Sequence, residues 1–143
     1  MKLENAITQK LRSEGQRITP ARARVISFFA EGGIFDALAL SEKLLLDGLN
    51  LNKTTIYREL DFLQSRGIIQ EITVGGSRKL YELVGHHHHI VCSGCQKVAC
   101  LPSGEVEEAL KKYEDLAANK TDFIITHHHL TMNGLCQNCV TSN

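Results

Sequence analysis

Apolar residues in the first half of the chain recur at helical spacing. Leu3, Ile7 and Leu11 stand four apart, and Thr19-Pro20 then supplies an N-cap and a first-turn proline for a helix carrying Val25, Ile26 and Phe29. Gly32-Gly33 ends that helix. Asp36 is placed to cap a third, with Leu40, Leu44 and Leu45 inward and Gly48 as its stop. A fourth helix starts at Asn52, buries Ile56, Leu60 and Leu63, and leaves at Gly67. The period then shortens. Ile68 to Val74 and Lys79 to Leu83 flank Gly75-Gly76-Ser77, a hairpin signal. Helices closed by a hairpin describe a winged helix-turn-helix.

After Gly85 the pattern predicts strands over 86–91 and 97–101, a helix over 103–118 with Val106, Leu110, Tyr113 and Leu116 inward, and a strand over 122–132. The expected fold class is α+β, with domains over residues 1–84 and 85–143, the second a small α/β module. A chain of 143 residues, 43% hydrophobic, supports one core or two small ones. No stretch is long and apolar enough to span a bilayer, and residues 1–15 lack an apolar signal core, so the expected location is the cytoplasm.

Charge adds little: 16 basic residues balance 16 acidic ones. Any binding of nucleic acid must therefore come from local placement of Arg and Lys. The fourth helix opens with Lys53-Thr54-Thr55-Ile56-Tyr57-Arg58, long polar donors and an aromatic ring at the end a recognition helix inserts into the major groove. Arg17, Arg22 and Arg24, with Arg78 and Lys79 on the wing, are placed to contact phosphates. The competing reading is a merely solvated helix face; the hairpin that follows favours DNA.

All five cysteines and all seven histidines follow Gly85. Cys92-x-x-Cys95 and Cys136-x-x-Cys139 have the spacing that lets paired thiolates grip one tetrahedral ion, which predicts a closed structural zinc site. A rubredoxin-like iron site is the rival. A thioredoxin-type redox pair is disfavoured on the expectation that neither CxxC opens a helix after a parallel strand. Along a strand alternate side chains face opposite ways, so His87 and His89 share one face and His86 and His88 the other. With Glu82 and Cys100 the first pair makes a four-ligand site suited to zinc. With Glu107 and one member of His127-His128-His129 the second pair makes another. Haem ligation by the 127–129 run is a weaker alternative, and exposed, solvated histidines the plainest one.

Together, Arg17-Ile18-Thr19-Pro20, Thr55-Ile56-Tyr57-Arg58, Tyr81-Glu82-Leu83, the histidine-rich run and the two CxxC pairs resemble the ferric uptake regulator superfamily over nearly the whole chain. The resemblance implies a homodimer with a winged-helix DNA-binding domain, a hinge and an α/β dimerisation domain, in which metal near the hinge closes the dimer onto a palindromic operator. It places Tyr57 and Arg58 at base-reading positions and Cys92, Cys95, Cys136 and Cys139 at structural zinc. Glu82, His87 and His89 fall at the sensor, and His86, Glu107 and His128 at the second site.

Three positions depart from the family pattern. Ile34 replaces a frequent sensor histidine, Cys100 a sensor carboxylate, and His88 an aspartate of the second site. The softer donors favour zinc over ferrous iron as the sensed metal, with manganese and nickel also possible, and point to the zinc uptake branch. Glu82 stands where peroxide sensors carry aspartate. The expected protein is thus a metal-dependent regulator, a repressor in the simplest case, and not an enzyme.

Overall fold

The computed structural model describes residues 2–74, 77–101 and 104–142, and divides into two compact units, Met1–Val84 and Gly85–Asn143. The turn glycines Gly75 and Gly76, and Ser103 at the expected helix start, lie outside the described residues, as does the side chain of Glu105.

The first unit consists of α1 (Lys2–Ser13), α2 (Pro20–Ala30), α3 (Ala37–Leu46), α4 (Lys53–Ser65) and the antiparallel pair β1 (Ile69–Val74) and β2 (Arg78–Leu83). Three helices start on side-chain caps. Thr19 accepts a hydrogen bond from the Arg22 amide, Asp36 from that of Ala39 and Asn52 from that of Thr55, each cap worth ~1 kcal/mol.

The central helix is α2, whose five successive residues Val25 to Phe29 are buried. Around it close Leu11, Leu40, Leu44, Ile56, Leu60, Leu63, Ile69 and Tyr81. Leu45 does not join them: it is exposed on α3. Successive residues on a helix stand about 100° apart, and on α3 Leu44 takes the inner place. Phe35 bridges to Tyr81 through two backbone hydrogen bonds of 3.0 and 2.7 Å, tying the loop before α3 to the wing.

The second unit holds a three-stranded sheet ordered β4-β3-β5, with β3 (His88–Cys92) antiparallel to β4 (Val98–Leu101) and parallel to β5 (Thr131–Gly134), plus α5 (Gly104–Thr121) and the short α6 (Gln137–Thr141). Two expected strands are shorter than their apolar patterns suggest. One begins at His88 rather than His86, and of the stretch expected over 122–132 only its end pairs, Thr131 opposite His89 and Met132 opposite Ile90.

Tyr113 and Leu116, expected to face inward from α5, are exposed at 68% and 49%. Phe123, Ile124, Leu135 and Val140 are also exposed. Amphipathic spacing marks an apolar face; it does not say that the same chain covers it. Among the described residues, the core proper of this unit reduces to Val91 and Cys92, beside buried His88.

Gly33 sits where a Cβ would lie 2.1 Å from the Phe35 ring and 2.8 Å from the Phe28 carbonyl oxygen. Gly33→Ala is expected to destabilise the first unit by about 1–3 kcal/mol through forced repacking of Phe35. Gly134→Ala, which meets nothing within 4 Å, serves as its neutral control. Chemical denaturation followed by helical circular dichroism checks the difference.

Candidate metal centres and nucleic-acid interface

The β3–β4 turn brings Cys92 and Cys95 together. Gln96 supports it with an unusual positive φ of 62° and donates its amide to the Cys92 carbonyl at 2.9 Å. The other pair arrives from β5, parallel to β3, with Cys136 as N-cap of α6. So Cys136-x-x-Cys139 does open a helix after a parallel strand, contrary to the sequence expectation. Gathering of all four sulfurs, not the absence of such a helix, is what sets the pair apart from a redox dithiol.

The four Sγ atoms lie within 4.8 Å of one another. A zinc–sulfur bond of about 2.3 Å gives a tetrahedral edge of about 3.8 Å. The Cys95–Cys136 separation is 3.7 Å. Gly94 makes room for the fourth ligand, since a Cβ there would stand 2.8 Å from the Cys139 sulfur.

Without an ion the thiols divide unequally. Amides of Cys136 and Cys95 donate to the Cys92 sulfur at 3.3 and 3.5 Å, and these bonds lower its pKa to about 6. Cys139, hydrogen-bonded first to Cys136 and then to Cys92 and Cys95, is pushed up to about 12. The cluster therefore favours negative charge at one sulfur and resists it at another, until a divalent cation offsets the repulsion.

A second cluster lies on the face of β3 turned toward α5. Nε2 of His86 and of His88 stand 2.9 and 2.6 Å from Glu107 Oε1, and His128 Nε2 stands 3.3 Å from the same oxygen. His86 and His128 approach to 3.1 Å. His88 is fully buried, and its Nδ1 accepts the Leu130 amide at 3.3 Å, so its proton sits on Nε2, toward the carboxylate. Hydrogen bonds from His88, and then from His128 and His86, hold Glu107 down to about 2.

Glu114, which sequence reasoning missed, hydrogen-bonds His128 Nδ1 and raises that imidazole's pKa above its ordinary 6.5. It leaves Nε2 to face the cluster, the carboxylate–histidine pairing that orients metal ligands. Its signal was available: 107 and 114 stand seven apart, two turns along one helix face.

On the opposite face, His89 lies directly across the ladder from Cys100, and the rings of His87 and His89 are 5.0 Å apart. Donor atoms of His87, His89 and Cys100 fall within 4.8 Å of one another, an imidazole-and-thiolate set suited to zinc. Glu82, on β2 of the first unit, is buried and accepts a hydrogen bond from Gln70 at 2.9 Å.

In the first unit, Lys53, Thr54, Tyr57 and Arg58 are exposed at the start of α4, with Thr55 half-buried. Lys53 lies over the Tyr57 ring at 5.9 Å, and the two help line a cavity of about 320 Å³ with Leu38 and Ser41 of α3. Arg17 is exposed before α2. Arg22, expected at a phosphate, is engaged internally. It pairs with Glu59 through bonds of 2.8 and 3.1 Å, stacks 3.6 Å above Phe62 and is 14% exposed. Its geometry is that of a brace between α2 and α4. Arg24, Arg78 and Lys79 pair with Asp47, Asp36 and Glu71 nearer the surface, where such pairs exchange readily for other anions.

Residues 13–133 match the Ferric uptake regulator family. The peroxide-responsive repressor PerR of Staphylococcus saprophyticus is 33% identical over 96% of this chain and 90% of its own length. The solved ferric uptake regulator of Helicobacter pylori superposes with a TM-score of 0.74 at 20% identity, covering 97% of this chain and 92% of that one. That of Vibrio cholerae gives 0.70 at 27%, covering 90% and 98%.

Two outcomes test the geometry. If the four sulfurs hold zinc, Cys139→Ser is expected to lower the zinc bound per chain by one and to unfold the second unit while leaving helices α1–α4 intact, read by metal content and by amide exchange resolved along the chain. With no ion at the histidine cluster, the His128 imidazole is expected to titrate above 6.5 and to fall back in Glu114→Gln, as followed by NMR. Because its folded value is raised, that pair's stabilisation is complete below pH 6.5 and is lost as pH rises through the folded value.

Proposed function

This chain belongs to the ferric uptake regulator family of metal-responsive, DNA-binding transcription regulators, and from that premise we propose a homodimeric repressor of metal homeostasis whose sensed ion is zinc. The observation that carries the zinc reading is Cys100 placed beside His87 and His89. A thiolate and two imidazoles suit zinc better than the harder ferrous or manganous ions. Glu82 is the fourth ligand we assign, because it stands on the wing strand, three residues before Gly85, where the second unit begins.

Bound there, the ion would supply a positive charge and fixed coordination directions. The residues themselves provide the coupling. An ion bound more tightly in the DNA-competent state would favour that state, and Glu82, at the end of the wing, is the coupling residue we assign. Cys92, Cys95, Cys136 and Cys139 hold structural zinc, and His86, His88, Glu107 and His128 a second ion. The apolar face of Tyr113, Leu116, Phe123 and Ile124 is the surface we assign to the second copy.

Lys53, Thr54, Thr55, Tyr57 and Arg58 read the major groove, with Arg17 on the backbone; Arg22 contributes by bracing α4. Among the described residues no helix is long and apolar enough to cross a membrane, and a cytoplasmic location fits a DNA ligand.

A second reading has its own observation. The chain resembles the peroxide-responsive repressors more than the zinc uptake branch specifically. Ferrous iron and oxidation sensing therefore form the alternative, and glutamate rather than aspartate at 82 weighs against it.

Operator binding measured at buffered free zinc, ferrous iron, manganese and nickel separates the readings. Zinc is expected to promote specific binding at the lowest free concentration, and Cys100→Ser to weaken the zinc response selectively. Arg58→Ala should retain metal and lose the operator. Equal operator affinity in the metal-free protein and in every metal form would remove the switch altogether.

A further inference from the structure

The segment before β5 carries three consecutive histidines, of which only His128 turns toward Glu107 and Glu114. His127 and His129 face away, and both are exposed. Their ring centroids are 5.4 Å apart with planes at 80°.

The same arrangement occurs twice more in this unit. His86 and His88 stand 5.0 Å apart at 84°, and His87 and His89 stand 5.0 Å apart at 74°. Each of those pairs converges on further donors; this is the spacing at which alternate imidazoles on an extended backbone share one ion-sized space. The third pair has an orienting partner as well. Thr126 Oγ1 lies 3.3 Å from His127 Nδ1, so that the ring is held on one nitrogen and offers the other.

The geometry points to a further metal site at His127 and His129, an open chelate for a divalent transition ion that prefers imidazole, such as nickel or zinc. Among the described residues no third His, Cys, Asp or Glu joins both. Water therefore completes the coordination, and the ion exchanges freely, unlike one enclosed by four thiolates. Of the three rings, half-buried His128 meets Glu107 and Glu114, while the flanking pair stays exposed. The site stands independently of which metal is sensed at Cys100.

The test uses the full-length protein loaded with zinc at its other sites, with nickel added by equilibrium dialysis and both metals counted per chain. The parent is expected to take up one additional nickel per chain without releasing zinc, and the double variant His127→Gln/His129→Gln to take up none. Its zinc content and circular dichroism should be unchanged. Equal nickel uptake by parent and variant would overturn the proposal, as would uptake matched by zinc release. Loss of zinc from the variant would assign these histidines to the neighbouring cluster instead, and one nickel per two chains would assign them to an interface between copies.

Discussion

Adjacent side chains on an extended backbone point to opposite faces, and the metal chemistry of this protein rests on that constraint. From His86 to His89 it sorts four identical residues into two donor sets that never compete. His88 turns inward and meets Glu107, while His89 turns outward and meets Cys100. Since β3 is the middle strand, one side of the sheet carries a cluster rich in imidazole and carboxylate and the other a set containing a thiolate. A slip of one residue in the β3–β4 register would exchange these partners and destroy both.

The two units are stabilised by different means. The first buries leucine, isoleucine, valine and phenylalanine around α2, and its charged pairs trim the edges of that core. Arg22 illustrates a residue of a type suited to DNA that serves packing: its guanidinium stacks on Phe62 and is held by both oxygens of Glu59, a charge-assisted pair that ties α2 to α4. The second unit has almost no apolar interior of its own. The four sulfurs draw β5 and α6 to the β3–β4 turn, and many of its large apolar side chains stay exposed. A unit with so little buried apolar surface would draw on ligand binding at the sulfurs to fold.

Family membership and ligand chemistry bear on different questions. The match over residues 13–133 places the chain among metal-responsive DNA-binding regulators, and that level of description is common to its iron, zinc and peroxide branches. Choice of ion depends on a few donors, and sequence identity near one third leaves those free to vary. Cys100, opposite His89, is the position with the largest chemical consequence for our proposal, since a metal bound there would meet a soft, oxidisable donor beside imidazoles.

The sequence by itself determined the helices of the first unit, their caps and the hairpin, because Thr19, Asp36, Asn52 and the apolar stripes act within a few residues of where they stand. It also marked the two CxxC pairs and the split of the histidine run, for spacing is local information. Only the tertiary structure decided what long-range packing controls. It showed that Tyr113 and Leu116 lie uncovered, that β5 pairs only near its end, and that Arg22 is held by Glu59. Each depends on which surface another element covers, and hydrophobic or charged spacing carries no record of that.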